Sequence, residues 1–201
     1  MGDPATLKNF LEYGEKNYPA DHKVFVFWDH GGIQGVCLDE VTTTPAGTKS
    51  PRERWHILSF DQIRQALSEV YNSSPANPPF ELVAFDTCLS GSYECVKSLE
   101  GFTRYVMASE TETEGGKANY TPWLKEFSKN TAISGAELGR YICEGTKASN
   151  SPGWALQTNY AVIDMAKLPA LTKAQDEFFA AANKRAIVDR NFYANFSRAA
   201  L

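Results

Sequence analysis

The sequence contains few of the residues from which metal sites and disulfide frameworks are built. Its 201 residues include four cysteines and three histidines. The cysteines form no Cys-x-x-Cys pair and no histidine stands at zinc-finger spacing from them, so a structural zinc site is not expected. Domains held together by disulfides carry far more cysteine per residue, which excludes that class as well. A mechanism that uses histidine has three candidate residues: His22, His30 and His56.

An excess of positive charge and long hydrophobic runs are also missing. The chain has 20 Lys and Arg against 24 Asp and Glu, a formal net charge of −4, which argues against a protein that binds nucleic acid or an anionic membrane. No apolar run reaches the roughly 18 residues that cross a bilayer. Residues 1–4 (MGDP) open a helix rather than a signal peptide. With 43% hydrophobic and 22% charged residues, we expect one soluble globular domain.

What the sequence does contain is an alternation of apolar, strand-forming runs with amphipathic helical segments. This alternation favours an α/β fold with a parallel sheet covered by helices on both faces. Ser59 with Gln62, and Ser134 with Glu137, have the spacing of capping boxes at helix starts. We expect strands at 24–28, 35–38, 81–85, 104–109 and 158–164, and helices at 4–17, 59–71, 90–99, 121–129, from 134, and in an Ala-rich stretch that closes the chain.

Two chemically active residues directly follow expected strands. His30 comes after 24–28 and Cys88 after 81–85, and reactive groups collect at the carboxyl ends of parallel strands. A free thiol, with a pKa of about 8.5, is mostly protonated at neutral pH, but a nearby imidazole and a helix start favour the thiolate. His30 can then protonate the leaving amine as a general acid. The backbone N–H groups of Gly31 and Cys88 are candidate donors to an oxyanion.

Each of these residues also has a structural interpretation. A cysteine at a strand end is more often a packed small hydrophobe than a nucleophile, and a lone histidine is more often structural. A non-catalytic α/β binding or scaffold domain therefore stays open as an alternative function. A nucleotide-binding domain is less favoured, because no Gly-x-Gly-x-x-Gly or phosphate-loop lysine motif is present.

Four blocks of the sequence, FVFWDHGG, LVAFDTCLSGSYE, YVMASETE and YAVIDMAKLPAL, resemble segments of the clostripain family of cysteine peptidases, in the same order. These peptidases belong with caspases, legumains and gingipains. The resemblance therefore implies a caspase-like α/β/α sandwich with a mainly parallel central sheet. It also implies that Cys88 is the nucleophile and His30 the catalytic histidine of a peptide-bond hydrolase.

The resemblance implies a substrate class as well. Family members cleave after Arg and some after Lys, and Asp86 aligns with the acidic residue that lines the S1 pocket, which binds the residue before the scissile bond. A carboxylate pairs bidentately with a guanidinium and more weakly with an ammonium group. Ser109 and Glu110 are expected to border the same pocket. Preferences at other subsites are left open by four departures from the family's usual residues: Ile33, Gln34, Thr87 and Ser90.

A polar loop over residues 41–54 suggests zymogen processing. Some family zymogens cleave themselves after a basic residue between the catalytic histidine and cysteine, and the candidates here are Lys49, which is favoured, Arg52 and Arg54. The alternative is a solvated basic loop. Family members carry one or two strands before the first helix, so we expect 1–201 to be a catalytic domain that lacks them and pairs with a separate N-terminal segment. The last residues, SRAAL, show no stop signal either.

Expectations about cofactors and location also come from the resemblance. The mechanism requires no cofactor, but the family's namesake depends on calcium. Glu110, Glu112 and Glu114, beside Gly115-Gly116, offer the hard oxygen ligands that calcium takes. A flexible acidic loop on the substrate side is the alternative. Family members are largely secreted or cell-envelope proteins of bacteria, so we expect that location, with basic protein or peptide substrates as partners.

Overall fold

The computed structural model describes residues 2–39, 56–115, 118–153 and 159–199. They form two compact units, Met1–Met165 and Ala166–Leu201. The strands of the first unit are β1 (Val24–Trp28), β2 (Gly31–Gly32), β3 (Gly35–Asp39), β4 (His56–Ser59), β5 (Phe80–Asp86), β6 (Thr103–Ser109) and β7 (Tyr160–Asp164). Its helices are α1 (Pro4–Asn17), α2 (Phe60–Val70), α3 (Tyr93–Ser98), α4 (Tyr120–Lys129) and α5 (Gly135–Ser149).

Local capping explains where the first two helices begin. The Asp3 side chain accepts a hydrogen bond from the Ala5 N–H at 2.9 Å, and Pro4 occupies the first helical position. At α2, the Ser59 hydroxyl accepts from the Gln62 N–H while the Gln62 side chain accepts from the Ser59 N–H. The capping box predicted from the sequence at α2 is therefore confirmed.

The main sheet has four strands in the order β1-β5-β6-β7. Strands β1, β5 and β6 run parallel, and β7 runs antiparallel to β6. The described helices α4 and α5 lie between β6 and β7 in the chain, and the antiparallel pairing means that the chain re-enters the sheet at the end from which it left. The expected mainly parallel sheet is confirmed. Among the described residues, β1 lies at one edge of this sheet. The expected pairing of the domain with strands of a separate N-terminal segment stays a prediction.

Alternate residues of the central strands face two different sets of helices. Leu82 and Ala84 of β5 join a buried cluster with residues of α4 and α5. On the other face, Phe85 stacks on Phe27 of β1 with 4.9 Å between ring centroids, and neighbouring rings continue from Phe27 to Phe10 of α1. The sheet is therefore covered on both faces, as its continuous apolar strands predict.

A second, small sheet holds the segment that follows β1. Strands β2, β3 and β4 pair antiparallel in that order. Since β2 is only the pair Gly31–Gly32, the chain passes from the main sheet into the small one through Asp29 and His30. The strand expected at 35–38 is confirmed, whereas its place in a separate antiparallel sheet was not predicted.

Two helix starts differ from the expected ones. Helix α3 begins at Tyr93 rather than at residue 90, because the preceding residues form the turn that carries Cys88 and Ser92 caps the helix. At α5 one half of the expected capping box forms: the Ser134 hydroxyl accepts from the Glu137 N–H. The Glu137 carboxylate instead contacts residues further along the helix.

The second unit contains helices α6 (Leu168–Val188) and α7 (Phe192–Ala199), so the expected Ala-rich helical stretch divides in two. Phe178 of α6 contacts Phe196 of α7 with 5.9 Å between ring centroids. The Tyr193 hydroxyl donates to Asn183 Oδ1 at 2.6 Å. These contacts hold the two helices together. None of the described helices of the chain is both long and apolar enough to span a bilayer.

Candidate active site

The register between β1 and β5 brings the two expected catalytic residues together. The two strands pair in parallel, and the last pair sets Trp28 opposite Asp86. His30 and Cys88 each follow this last pair by two residues. Both residues line one cavity of about 470 Å³ at the carboxyl edge of the sheet. The strand ends therefore meet as the strand pattern predicts.

Acidic and backbone groups surround the two residues in this cavity. His30 is exposed and Cys88 is half-buried. The Asp29 carboxylate accepts from the His30 N–H at 2.6 Å, which fixes the backbone that presents the imidazole. The described residues that line the cavity are Trp28, Asp29, His30, Asp86, Cys88, Thr113 and Gly115.

Gly31 packs against the backbone of the cysteine turn. A Cβ atom at position 31 would overlap the carbonyl oxygen of Cys88, so no side chain fits there, whereas Gly32 has nothing within 4 Å of the equivalent point. The His30 carbonyl accepts from the Cys37 N–H at 3.0 Å. Hydrogen-bonded and non-hydrogen-bonded pairs alternate along an antiparallel ladder. Because His30 and Cys37 form a hydrogen-bonded pair, the next pair, Gly31 and Val36, is a non-hydrogen-bonded one. The N–H of Gly31 therefore makes no ladder bond between β2 and β3.

The turn that carries Cys88 is strained and bonded to the end of β6. Leu89 has a left-handed φ of 50°, which costs a non-glycine residue roughly 1–2 kcal/mol. Its N–H donates to the Thr111 carbonyl at 3.1 Å, and the Gly91 N–H donates to the Ser109 carbonyl at 2.7 Å. A Cβ at position 91 would lie 2.9 Å from the Ser109 carbonyl carbon, so this close approach requires glycine.

Three atoms of Thr113 contact the Cys88 thiol. The Thr113 N–H donates to Sγ at 3.3 Å, the Thr113 hydroxyl oxygen lies 3.5 Å from Sγ, and the thiol faces the Thr113 carbonyl at 3.6 Å. The Thr113 side chain also hydrogen-bonds Tyr160. Sequence reasoning missed Thr113, because it lies among alternating Thr and Glu residues that match no motif.

Asp86 lines the cavity and contacts α4. It follows Leu82 and Ala84 at the two-residue spacing of one strand face, which is the face that α4 covers. The Tyr120 hydroxyl, at the first residue of α4, donates to Asp86 Oδ2 at 2.9 Å. Burial raises the pKa of the Asp86 carboxyl, and this hydrogen bond opposes the rise. Burial and the nearby Asp86 raise the pKa of Tyr120, so its phenol remains a donor.

A second cavity adjoins the first beside Trp28. Its volume is about 590 Å³, and Val26, Trp28, Ala118 and Tyr120 line it. Sequence reasoning did not identify Tyr120, and an aromatic residue after an irregular segment carried no signal for it. Together the two cavities extend along Trp28, with the Asp86 carboxylate between Cys88 and Tyr120.

The other two residues expected at the pocket, Ser109 and Glu110, are not among the described residues that line the cavity. Ser109 is 0% exposed, and its hydroxyl donates to the Thr111 carbonyl at 3.0 Å, so it supports the cysteine turn. Glu110 is exposed, and its N–H donates to the Asn159 carbonyl at 3.2 Å. Neither belongs to the described lining of the cavity, which gives no support to their expected place in the pocket wall. The processing candidates lie outside the described residues: Lys49, Arg52 and Arg54.

The three glutamates of the acidic loop have different surroundings. Glu114 uses both carboxylate oxygens on Ser151, whose hydroxyl and N–H each donate at 2.7 Å. Glu112 and Glu110 are exposed. Within the described part of the chain, no group of three or more His, Cys, Asp or Glu side chains is placed to hold a metal ion. Calcium binding by this loop therefore stays a prediction, and Glu114 ties the loop to the segment after α5.

The other three cysteines differ from Cys88 in their surroundings. All four thiols are free. Burial raises the pKa of the Cys37 and Cys143 thiols to about 11, and it also raises the pKa of Cys95, which is 0% exposed. Such thiols are almost entirely protonated at neutral pH and are poor nucleophiles. Cys88 lines the cavity that His30 shares, and it is therefore the candidate nucleophile.

A mainly parallel sheet that presents a cysteine and a histidine in one cavity at its strand ends is the architecture of caspase-like cysteine peptidases. Within that class, the model of the clostripain family matches residues 1–197, and the chain belongs to this family. Clostripain of Hathewaya histolytica is 30% identical over 104 residues, which cover 47% of this chain and 17% of that protein.

Solved structures of related proteases share the fold. A secreted C11 cysteine protease from Bacteroides thetaiotaomicron, in complex with an irreversible peptide inhibitor, matches with a TM-score of 0.61 and 24% identity, covering 86% of this chain and 48% of that one. An inactive zymogen C11 protease from Parabacteroides distasonis matches with a TM-score of 0.58 and 19% identity, covering 85% and 42%. The chain thus spans less than half the length of each of these proteins.

Proposed function

We propose that the protein is a cysteine endopeptidase that cleaves after Arg, and also after Lys, through a Cys88–His30 dyad. The observation that carries this proposal is the cavity at the strand ends, which the thiol, the imidazole and the Asp86 carboxylate line together. Membership of the clostripain family supports the peptidase class. The preference for a basic residue depends on the charge of Asp86.

In the proposed reaction, the Cys88 thiolate attacks the carbonyl carbon of the scissile bond and forms a tetrahedral intermediate. As the C–N bond breaks, His30 gives its proton to the leaving amine. The acyl group remains on Cys88 as a thioester. His30 then takes a proton from the water that attacks this thioester, the thiolate leaves, and the enzyme is restored with one water consumed.

Two backbone N–H groups are proposed to stabilise the negative oxygen of the intermediate, those of Gly31 and Cys88. The Gly31 N–H lies outside the β2/β3 ladder, so this role does not compete with a ladder hydrogen bond. The close packing of Gly31 on the Cys88 backbone supports a shared contact of both groups with one oxygen. A donor in such a position typically contributes about 3 kcal/mol to transition-state stabilisation.

The basic P1 side chain is proposed to bind along Trp28 toward Asp86. A carboxylate pairs with a guanidinium through two parallel hydrogen bonds and with an ammonium through a point charge. Trp28 is 70% exposed, so its ring offers a surface for the aliphatic stem and the cation. The second cavity, which Trp28 and Tyr120 help to line, gives space for a long side chain.

The first experiment is hydrolysis of fluorogenic peptides that end in Arg, Lys, Asp, Asn or Leu by the full chain. The matched control pair is Cys88→Ala and Cys143→Ala, since both cysteines are half-buried. Arg or Lys turnover that Cys88→Ala loses and Cys143→Ala keeps supports the proposal. Turnover after Asp or Asn contradicts the assignment of Asp86. An Arg chloromethyl ketone that leaves Cys88 unlabelled, together with no turnover, favours the binding or scaffold domain.

Autocleavage in the loop 41–54 is proposed as the activation step. Lys49, Arg52 and Arg54 are basic residues of the type that the Asp86 pocket would accept. Aged wild-type protein should then show a new N-terminus after one of them, with Lys49 favoured, and Cys88→Ala protein should not. Intact chains in both samples would rule out self-processing.

Secretion is proposed on the basis of relatives. Two solved structures that share the fold are each described as a secreted C11 cysteine protease from Bacteroides thetaiotaomicron. The protein is then expected in the culture medium or the cell envelope of its native cells. Fractionation of those cells followed by immunodetection tests this location, and a purely cytoplasmic signal would contradict it.

A further inference from the structure

We infer that the backbone N–H of Thr113 is a hydrogen-bond donor to the reactive form of Cys88, and that Glu114 is a positioning residue that holds this N–H in place through Ser151. The inference rests on the proposed function only in taking Cys88 as the nucleophile. It assigns the acidic loop a role in the environment of the thiol, in place of a metal site or a substrate contact.

The first observation is the geometry at the sulfur. The Thr113 N–H points at Sγ from 3.3 Å, and an N–H donor to sulfur interacts more strongly with a thiolate than with a thiol, because the acceptor is then charged. The hydroxyl and carbonyl of Thr113 lie at longer distances from Sγ, 3.5 and 3.6 Å. The carbonyl can only accept from the thiol, at the longest of the three distances, so the amide, as the closest donor, is the Thr113 group that is best placed to interact with a charged sulfur.

The second observation is how the loop is held on its β6 side. The Thr111 carbonyl accepts from the Leu89 N–H and from the Ser109 hydroxyl. The Thr111 hydroxyl accepts from the Asn159 N–H at 3.1 Å. Residue 111 is thus bonded to the cysteine turn and to the start of β7, and the chain leaves this fixed point only two residues before the thiol contact.

The third observation is the anchor on the other side of Thr113. Glu114 accepts from both the N–H and the hydroxyl of Ser151 at 2.7 Å. Hydrogen bonds to a carboxylate are stronger than those between neutral groups. Because Thr113 lies between the Thr111 bonds and this anchor, its N–H is fixed from both directions. Loss of the Glu114 anchor removes the hold on the side that follows Thr113 and leaves the Thr111 bonds and the bond from the Thr113 side chain to Tyr160.

The test is the rate at which iodoacetamide alkylates Cys88 in the full chain, read by mass spectrometry of the Cys88 peptide. Glu114→Gln should slow alkylation at about pH 7 by three- to tenfold, since fewer thiols are ionised, and leave the rate at about pH 10 unchanged. Asp29, His30 and Asp86, the titratable cavity residues beside Cys88, stay the same in every variant. Glu112→Gln removes the same charge from an exposed neighbour and should have no effect.

The sign of the change separates positioning from simple electrostatics. Removal of a negative charge near a thiolate favours the thiolate, so a purely electrostatic effect of Glu114→Gln would accelerate alkylation at about pH 7. Ser151→Ala removes one partner of the anchor without a change in charge and should also slow the reaction, while Ser151→Thr, which keeps a hydroxyl, should restore it.

Wild-type rates in both Glu114→Gln and Ser151→Ala would overturn the inference, and so would a faster reaction in Glu114→Gln. If Glu114→Gln fails to fold, as judged by thermal melting, Ser151→Ala decides alone. Alkylation needs no peptide substrate, so the result is independent of whether the chain cleaves after basic residues. The chain could lack peptidase activity while Ser151→Ala still slows the alkylation of Cys88. That result would contradict the proposed function and support this inference.

Discussion

His30 and Cys88 line the same cavity, and each stands two residues beyond the last registered pair of β1 and β5, Trp28 and Asp86. The relationship needs no direct bond between the two side chains. It follows from parallel pairing of adjacent strands that end at the same edge of the sheet, and it places a thiol and an imidazole around one cavity of about 470 Å³.

His30→Ala should lower kcat/KM for an Arg-ending peptide by about 10²- to 10⁴-fold, because the leaving amine loses its general acid. The matched control is His22→Ala, since His22 is exposed in the turn before β1. Cys88 in the His30→Ala protein should still alkylate at about pH 10, which shows that the thiol is present and accessible. Equal activity of the two variants would contradict the dyad.

Gly31→Ala should lower kcat by about 100-fold, because the added Cβ overlaps the Cys88 carbonyl and displaces either the histidine segment or the cysteine turn. Gly32→Ala, one residue further, meets nothing within 4 Å and should retain activity. Steady-state kinetics of the two variants, with a thermal melt of each, makes the comparison. An active Gly31→Ala enzyme would argue against the proposed packing of Gly31 on Cys88.

Tyr120→Phe should shift the pH dependence of KM for Arg-ending peptides to higher pH. A basic side chain binds the ionised form of Asp86, so affinity is retained above the pKa of Asp86 and lost as the pH falls through it. Burial raises that pKa and the Tyr120 hydrogen bond lowers it. Removal of this bond raises the pKa further, so the loss begins at a higher pH.

The measurement for Tyr120 is KM from about pH 5 to about pH 8, where carboxyl groups with raised pKa values titrate. We expect KM to rise by about three- to tenfold at the acidic end and to change little at the other. Tyr141→Phe is the control, because the Tyr141 hydroxyl contacts Glu137 on the exposed side of α5. Asp86→Asn should remove this pH dependence altogether. An unchanged profile in Tyr120→Phe would mean that Asp86 does not bind the basic side chain.

Thr87→Val should stabilise the fold by about 1 kcal/mol, since it replaces a buried hydroxyl with a methyl group of similar shape. Thr87 is 1% exposed, and its oxygen has no hydrogen-bond partner among the described residues. The matched variant is Thr103→Val at a site that is 3% exposed, where the hydroxyl donates to the Tyr105 carbonyl at 2.8 Å. This variant should lose about 1 kcal/mol. Urea unfolding measures both changes, and equal signs would contradict the prediction.

Local sequence signals predicted most of the elements well. The cap at Asp3, the capping box at Ser59 and the apolar run ending at Phe85 act within a few residues, and each forms the expected helix or strand. The predicted start of α3 was wrong, because hydrogen bonds to residues at the end of β6 and just after it hold the turn at Cys88, and no local pattern encodes those bonds. Likewise, the antiparallel direction of β7 is seen in its pairing with β6, which no local pattern encodes.

The sequence by itself determined the strands, the helix caps, the family resemblance and the two residues, His30 and Cys88, that follow the central strands. Only the tertiary structure decided that Thr113 contacts the thiol, that Tyr120 contacts Asp86, and that Glu114 binds Ser151. The physical reason is distance along the chain. Propensity and capping act between near neighbours, whereas these contacts join residues 25 to 37 positions apart, which only the packing of the sheet and its helices brings together.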